Sequence, residues 1–406
     1  MALVVIAGGG IGGLATALAV TARGHRAAVL ERADRFAEIG AGIQIAPNGL
    51  HALDALGVGD AVRASAVNMS ELRFMDGVTG RHVTSLPLTS RYQRRFGNPY
   101  VVVHRADLHA ALLRACLASD AVSLHGGHAV ARYEQDATTA TAVLTDGTRV
   151  SGDVLIAADG IHSAVRRQLV GDGDPRVSGI TVYRAVIPME RVPERLRFER
   201  SVVWWTGPGC HFVHYPIAGG RHLNLAASHD DGTTVPVAGA PATRRTVRRT
   251  FTPLGGIARQ LLELGDEWKT WTLVDRDPTD RWTDGRVALL GDAAHAMLHY
   301  AAQGACQALE DAVVLGDLLD GADADALPGH LAAYADARRE RTAKVQLTAR
   351  ESIRLWHPAG PAAEKRNALL SAMDADELHD HVAWMHGHRT PLAAARGVHA
   401  TTGALT

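Results

Sequence analysis

The sequence predicts an α/β fold in which a parallel sheet is interrupted by a second, mostly antiparallel sheet and followed by a helical C-terminal region. Three observations predict it. Residues 3–21 hold a short apolar run and then helical spacing, which is typical of a buried parallel strand and its crossover helix. Residues 173–271 contain runs of alternating polar and apolar residues, which are typical of antiparallel strands. Beyond about residue 330 the pattern is strongly helical and rich in arginine.

The composition narrows the class of protein. A chain of 406 residues is long enough for two or three domains, and 47% hydrophobic with 21% charged residues is ordinary for a globular protein. The 42 Lys and Arg residues balance 43 Asp and Glu residues, so charge gives no reason to expect binding to nucleic acid or an anionic membrane. The apolar N-terminus lacks a basic start and is broken by glycines. We therefore expect neither a secretory signal nor a membrane span.

The cysteines also bear on location. Cys116, Cys210 and Cys306 lie far apart and are odd in number, so they form neither a disulfide framework nor a zinc pattern. We expect reduced, buried thiols in a cytoplasmic protein and no metal site.

The first strand is followed by a glycine-rich turn. Gly8, Gly10 and Gly13 form a G-x-G-x-x-G pattern between the run LVVIA and a helix, and the next strand ends at Glu31. Such glycines let the backbone approach a pyrophosphate, and the helix N-terminus supplies amide donors. An acid after the second strand binds ribose hydroxyls. The segment therefore predicts a site for FAD or NAD.

Two later strands end in similar pairs of residues. In DVLIAADGIHSAVRR an apolar strand ends at Asp159-Gly160, and a helix begins at Ser163. In GRVALLGDAAH another apolar strand ends at Gly291-Asp292, and a loop then leads to a helix from about Ala305.

The three motifs, in this order and at these separations, resemble those of the single-component FAD-dependent aromatic hydroxylases, the p-hydroxybenzoate-hydroxylase-like flavoprotein monooxygenases. The resemblance covers about residues 3–330. It implies a Rossmann-like FAD-binding domain, bound FAD, and NADH or NADPH and O2 as co-substrates. The sequence has no second dinucleotide fingerprint, which fits a family in which the reduced nicotinamide docks transiently.

The resemblance also implies a division of the chain. Residues 1–172 would form the first part of the FAD-binding domain, with an excursion of about 73–100 into the substrate domain. Residues 173–271 would form the substrate-binding β-sheet domain. Residues 272–330 would complete the FAD-binding domain, and 331–406 would be the C-terminal helical region.

The resemblance assigns a set of cofactor-binding residues: Gly8, Gly10, Ile11, Gly13, Glu31, Arg32, Gln44, Arg105, Asp159, Asp292, Gly304 and Ala305. Arg105 would reach the ribityl and pyrophosphate region, and Asp292 would accept a hydroxyl. The backbone at Gly304 and Ala305 would present a helix N-terminus to the flavin, where it stabilises the negative charge of the reduced ring.

The chemistry that the resemblance implies needs a base near the substrate. NAD(P)H reduces FAD, O2 adds at flavin C4a, and the hydroperoxide is attacked by an electron-rich ring such as a phenol or hydroxypyridine. A phenolate is much richer in electrons than a phenol, so a base near the substrate hydroxyl helps, and histidine has a suitable pKa.

Three residues are the catalytic candidates. His211, His299 and Tyr215 match positions that face the substrate in the 3-hydroxybenzoate 6-hydroxylases and 6-hydroxynicotinate 3-monooxygenases, which this chain resembles most. His211 and His214 should point to opposite faces of one strand. We expect Tyr215 to share the face of His211 only if the strand bends or bulges.

Three other positions carry weaker expectations. His295 is expected to brace its loop, and the pair Tyr183-Arg184 is expected at the mouth of the cavity. The family commonly has proline where this chain has Ala296, so the loop could be looser or differently routed here.

The expected partner is a small aromatic substrate, possibly carboxylated as in 3-hydroxybenzoate, and the chain could form a homodimer. Three alternatives stay open. The protein could hydroxylate a larger natural-product intermediate, act as a flavin oxidase or dehydrogenase without oxygen insertion, or bind a nucleotide without catalysis.

Overall fold

The computed structural model describes residues 1–37 and 41–390. The strands are β1 (Leu3–Ala7), β2 (Arg26–Leu30), β3 (Gly42–Ile45), β4 (Val67–Asn68), β5 (Glu71–Asp76), β6 (His82–Pro87), β7 (Val101–His104), β8 (Val122–His125), β9 (Val130–Gln135), β10 (Ala140–Leu144), β11 (Arg149–Gly152), β12 (Val154–Ala157), β13 (Arg176–Pro188), β14 (Ser201–Gly207), β15 (Cys210–Ile217), β16 (His222–Thr233), β17 (Ala238–Ala242), β18 (Trp268–Asp275), β19 (Thr283–Asp284) and β20 (Val287–Leu289).

The α-helices are α1 (Ile11–Thr21), α2 (Pro47–Ala55), α3 (Gly59–Arg63), α4 (Ser90–Phe96), α5 (Arg105–Leu117), α6 (Ala164–Leu169), α7 (Arg244–Thr250), α8 (Gly256–Glu263), α9 (Asp292–His295), α10 (Gly304–Leu318), α11 (Leu327–Glu351), α12 (Ile353–Trp356), α13 (Gly360–Ala372) and α14 (Ala375–His386). The last part of the predicted C-terminal region, 391–406, lies outside the described residues.

A six-stranded sheet in the order β19-β20-β12-β1-β2-β8 forms the first layer, and all its pairings except that of β19 are parallel. Its central strands are fully apolar because they are covered, by helix α1 and by the three-stranded sheet β11-β10-β9, which contacts β1 and β12. Parallel strands end at the same edge of a sheet, so the motifs that follow β1, β12 and β20 converge there.

An eight-stranded sheet in the order β17-β18-β13-β16-β15-β14-β5-β6 forms the second layer. It is antiparallel except where β5 pairs with β14. One face packs on α7 and α8 through Trp205, Phe212 and Phe251. The other face looks toward the edge of the parallel sheet where the three motifs meet. The α/β fold with an antiparallel second sheet and C-terminal helices is therefore confirmed.

Helix α1 packs closely on its neighbours because glycines allow it. A Cβ on Gly13 would lie 1.9 Å from the carbonyl oxygen of Gly8, and one on Gly316 would lie 2.8 Å from the Cβ of Ala19. Only glycine fits between α1 and the turn after β1 and between α1 and α10.

Two smaller findings bear on the sequence-based expectations. Cys116, Cys210 and Cys306 are buried and free. Within residues 1–37 and 41–390, no helix has the length and apolar character that crossing a membrane requires. The domain boundaries stay a prediction. Strands β5 and β6, which overlap the predicted excursion at 73–100, belong to the eight-stranded sheet.

Candidate active site

A cavity of about 700 Å³ lies between the edge of the parallel sheet and the inner face of the eight-stranded sheet. Ligand sites commonly have volumes of roughly 300–1,000 Å³. The sequence-predicted residues that line it are Gly8, Gly10, Ile11, Glu31, Arg32, Gln44, Arg105, Asp159, His211, Tyr215, Asp292, His299, Gly304 and Ala305. Gly13 does not line the cavity; its role is the close contact of α1 with the turn.

The turn after β1 forms one end of the cavity. Helix α1 begins at Ile11, and its N-cap residue, Gly10, makes no side-chain cap, so backbone amides at this end point toward the cavity. The Glu31 carboxylate accepts hydrogen bonds from the Gly9 amide at 2.7 Å and the Ala33 amide at 2.9 Å. These bonds hold the acid beside the glycine turn, where a ribose would lie.

Asp159 follows β12 and lies beside the same turn. Its Oδ2 accepts the Ala164 amide at 3.0 Å, and its Oδ1 is buried without a hydrogen-bond partner in the described part of the chain. Burial raises the pKa of this carboxyl, although hydrogen bonds from Ser163 and nearby amides oppose the shift. An unsatisfied buried acceptor is costly, so this oxygen is a good partner for a ligand donor.

The loop after β20 is held from behind by a buried carboxylate. Gly291 has a φ of +62°, which lets the chain turn sharply and leaves Asp292 exposed at the cavity. Asp311 in α10 accepts the Gly291 amide at 3.0 Å and pairs with His295 at 2.6 Å. His295 therefore braces the loop, as its place in the sequence suggested, and does not line the cavity.

Arg338 of α11 neutralises this carboxylate and its neighbour. Its Nε lies 2.7 Å from Asp311, and its Nη1 lies 2.7 Å from Glu310. Burial alone would raise the pKa of both acids, but His295 and Arg338 lower that of Asp311 to about 2, and Arg338 and Arg341 lower that of Glu310 to about 2. All three groups of the Arg338–Glu310–Asp311 network are fully buried.

The network extends to the start of α10. Asn48 donates to Glu310 at 2.7 Å and to Gln303 at 2.8 Å. Gln303 is the N-cap residue of α10 but makes no side-chain cap, so the amides that follow it are open toward the cavity. The buried acids thus fix the position of a helix N-terminus that an electron-rich ligand would contact.

Ala296 takes the place of the proline that the resemblance led us to expect. Its φ of −51° is close to the value that a proline ring imposes. Its carbonyl oxygen accepts hydrogen bonds from the Arg276 amide and the Gln346 side chain, both at 3.2 Å. Hydrogen bonds therefore hold this position without the ring.

Strand β15 places two of the candidate catalytic side chains on the cavity. His211, Val213 and Tyr215 line it, and β15 pairs with β14 and β16 without a bulge. The expectation that Tyr215 needs a bend to share the face of His211 was wrong. Residues four apart on a strand lie on the same face, because the repeat is two residues. His214 lies on the opposite face, packed against Phe198 and Trp205.

We call the part of the cavity that is lined by His211, His299, Tyr215, Arg184, Trp204 and Trp356 the chamber. The ring centroids of His211 and His299 lie 5.8 Å apart in it. His211 Nδ1 lies 2.9 Å from Nε2 of His357. Burial, His357 and His299 keep the pKa of His211 well below its ordinary value. Burial, Arg184 and His357 lower the pKa of His299 to about 3. Both imidazoles are therefore neutral at pH 7, and each has a ring nitrogen that can accept a hydrogen bond.

Tyr215, Gln44 and Arg184 also line the cavity. Tyr100 donates to Gln44 at 2.7 Å, and burial raises the pKa of Tyr215 to about 12 while Arg184 and Gln44 lower it. The Nε of Arg184 is buried without a hydrogen-bond partner in the described part of the chain, and its guanidinium carbon lies 5.8 Å from the centre of the Trp271 ring. Tyr183 points the other way, against Phe251, so only Arg184 of the predicted pair lines the cavity.

The sequence did not reveal several residues in or beside the chamber. Trp356, at the end of α12, lines the cavity, and His357, the next residue, contacts His211 without lining it. Both lie about 145 positions after His211, and no local motif marks them. Ser228 and Asn224 lie opposite His211 and Tyr215 in the β15–β16 pairing. Correct alignment of these two strands would have found them.

The cavity runs from the glycine turn to His211, His299 and Trp356, an arrangement that suits a nucleotide cofactor beside a small ring. The glycine turn, the unsatisfied Asp159 oxygen and the open N-terminus of α10 fit FAD. A sequence model described as "FAD binding domain" matches residues 1–349, and the chain belongs to that family.

Curated relatives and a solved structure support the same class of protein. The chain is 46% identical over 388 residues to 3-hydroxybenzoate 6-hydroxylase 1 of Aquipseudomonas alcaligenes, covering 95% of this chain and 98% of that protein. It is 40% identical to 3-hydroxybenzoate 6-hydroxylase of Polaromonas naphthalenivorans (strain CJ2), covering 95% of each. A salicylate hydroxylase substrate complex superposes with a TM-score of 0.82 at 27% identity, covering 96% of each chain. The protein is therefore an FAD-dependent aromatic hydroxylase that uses NAD(P)H and O2.

The Arg338–Glu310–Asp311 network gives a prediction about stability. Arg338→Leu removes the cation that two buried carboxylates share and leaves Glu310 with Arg341 and Asp311 with His295, so we expect the free energy of unfolding at pH 7 to fall by about 3–5 kcal/mol. Arg339→Leu removes the neighbouring arginine, which is 41% exposed and pairs only at the surface, and should cost less than about 1 kcal/mol. Urea titrations at several pH values measure both.

The pH dependence has a definite sign. In the wild type the folded pKa of both acids is lowered, so their stabilisation is complete above the unfolded values of about 4–4.5 and is lost as pH falls toward 2. In Arg338→Leu the same acids should have raised pKa values, so its deficit should shrink on acidification from pH 7 to 5. A deficit that stays constant over this range would contradict the assignment.

Proposed function

We propose that the protein hydroxylates a small phenol that carries a carboxylate, and that its substrate is 3-hydroxybenzoate, hydroxylated at C6. The observation that carries the proposal is Arg184. It is a cavity-lining cation with an unsatisfied buried nitrogen, facing a chamber whose two histidines are neutral. A benzoate carboxylate would accept a hydrogen bond from this nitrogen and balance the charge of the guanidinium. The names of the two curated relatives support the same substrate.

We assign the cofactor roles from the positions along the cavity. Glu31 would accept the ribose hydroxyls of the ADP half, with the amides at Gly10 and Ile11 at the pyrophosphate. Asp159, Arg105 and Asp292 would contact the middle of FAD, with Arg32 at the adenosine end. Gln44 and the amides of Gly304 and Ala305 would lie at the flavin. Bound FAD takes a hydride from NAD(P)H and supplies the oxygen atom from O2.

The histidines would prepare the substrate. Each neutral imidazole has a lone pair that would accept a hydrogen bond from the substrate hydroxyl, and movement of that proton toward the histidines would leave a phenolate with the electron density that the oxygen transfer needs. Tyr215, whose hydroxyl stays protonated because its pKa is raised to about 12, would donate a hydrogen bond to the substrate. Trp204 and Trp356 wall the chamber and favour a single ring over a larger natural-product intermediate. A homodimer and a cytoplasmic location remain proposals from the sequence.

A substrate screen tests the function. The FAD-loaded protein is mixed with NADH or NADPH and with 3-hydroxybenzoate, salicylate, 4-hydroxybenzoate, 6-hydroxynicotinate or phenol. We expect 3-hydroxybenzoate to stimulate NAD(P)H oxidation most and to give one 2,5-dihydroxybenzoate per NAD(P)H consumed, as followed by absorbance and mass spectrometry. Hydrogen peroxide in full yield without a hydroxylated product would identify an oxidase instead.

Arg184 gives a separate prediction. Arg184→Met should raise KM for 3-hydroxybenzoate by roughly 10–100-fold, because a charge-assisted hydrogen bond contributes about 1.5–3 kcal/mol. Turnover of phenol, which lacks the carboxylate, should hardly change. Arg167→Met, at an exposed arginine outside the cavity, is the matched control. An equal loss for both substrates would remove Arg184 from carboxylate binding.

His299 is expected to act on the ring. His299→Ala should retain FAD but lose most of the coupling of NAD(P)H oxidation to hydroxylation, because the chamber loses a base and gains space. His381→Ala, at an exposed histidine of α14, should behave as the wild type. The ratio of product to NAD(P)H consumed measures coupling, and a wild-type ratio in His299→Ala would exclude the residue from the reaction.

A further inference from the structure

His357 directly follows α12 in the C-terminal region and contacts His211, although it is not itself one of the residues that line the cavity. Its Nε2 lies 2.9 Å from Nδ1 of His211. Its backbone is fixed on both sides, because its amide donates to the Ile353 carbonyl and its own carbonyl accepts the Gly209 amide, both at 3.0 Å. Gly209 directly precedes β15. These two hydrogen bonds therefore hold the backbone of His357 against the residue that precedes the strand carrying His211.

The bond between the two rings constrains their protons. A hydrogen bond between neutral imidazoles needs one N–H and one lone pair, so only one of the two facing nitrogens is protonated. If His211 Nδ1 carries the hydrogen, its Nε2 has a free lone pair and can act as a base. If His357 Nε2 carries it, His211 Nε2 is an N–H and cannot. The state of His357 therefore decides whether His211 can take a proton from a substrate hydroxyl.

The surroundings of the pair place His357 nearer to solvent than His211, since His357 is 9% exposed and His211 is 3% exposed. Burial and then His229 lower the pKa of His357 to about 4, and burial, His357 and His299 hold the pKa of His211 well below its ordinary value. Beside the pair, Arg184 lowers the pKa of His299 and Asp230 raises that of Tyr300. Because burial disfavours the charged form of an imidazole, a positive charge costs less on His357 than on His211.

We propose that His357 is a positioning residue that holds His211 in its base tautomer and takes the proton when the substrate ionises. The inference rests on the proposed function. The substrate O–H bond breaks and its proton moves to Nε2 of His211, while the Nδ1 proton of His211 moves to Nε2 of His357. The products are a phenolate, a neutral His211 of the other tautomer and a His357 imidazolium. No electrons are transferred, and the net charge is unchanged.

Two variants separate positioning from packing. His357→Gln can still accept the His211 Nδ1 hydrogen through its amide oxygen, but it cannot take a proton. His357→Phe removes both abilities and keeps an aromatic ring beside Trp356. His381→Gln is the control. Each FAD-loaded variant is titrated from pH 6 to 9 with the phenol that gives most product in the wild type. Phenolate absorbance on binding, kcat, KM and coupling are measured.

We expect the apparent pKa for phenolate formation in the complex to rise by at least one pH unit in His357→Phe, with a tenfold or larger loss of kcat at pH 7. His357→Gln should keep the wild-type KM and lose kcat. FAD content should be unchanged in both. If the wild type hydroxylates a phenol and His357→Phe keeps the wild-type phenolate titration and coupling, the role of His357 is overturned and the proposed function stands. A wild type that hydroxylates no phenol would overturn both.

Discussion

The fold depends on the buried charge of Arg338. Its guanidinium joins α11 to two consecutive acids of α10, and one of those acids, Asp311, holds the backbone of the loop that carries Asp292. Two carboxylates cannot remain ionised in such a place without a cation, since an unpaired buried charge costs several kcal/mol. The cation comes from a helix that does not touch the cavity. The position of the loop that carries Asp292 is therefore set by charge pairing behind it as well as by the turn at Gly291.

Helix α10 consequently serves two purposes along its length. Its first turn, from Gly304, presents open amides to the cavity, and its second turn carries Glu310 and Asp311 into the interior. A helix N-terminus stabilises developing negative charge only when it cannot move away from it. The acids provide that rigidity, and Asn48 extends it to the N-cap residue. Hydrogen bonds and ion pairs therefore hold the GDAAH loop and α10 in a fixed position relative to α11.

The local parts of this arrangement could be predicted from the sequence. A strand, a glycine turn and a helix are adjacent in the chain, so Gly8 to Gly13, Asp159 and Asp292 could be placed at the edge of a parallel sheet with the family resemblance to support them. The face shared by His211 and Tyr215 was also available from the two-residue repeat of a strand. The expectation of a bulge was an error of reasoning, because nothing in the chain required one.

The chemistry of the chamber could not be predicted in the same way, because it is set by residues distant in the chain. Sequence shows that His211 is a histidine, but its use as a base depends on which nitrogen carries the proton, and that depends on His357, 146 positions later. Burial also works in both directions: it keeps the imidazole neutral and ready to accept a proton, yet it makes the resulting cation costly. A single buried histidine would therefore be a poor base for a phenol. In the role that we propose for His357, a second imidazole at 2.9 Å would take the positive charge away from the chamber, and the C-terminal segment would then belong to the site although no motif marks it.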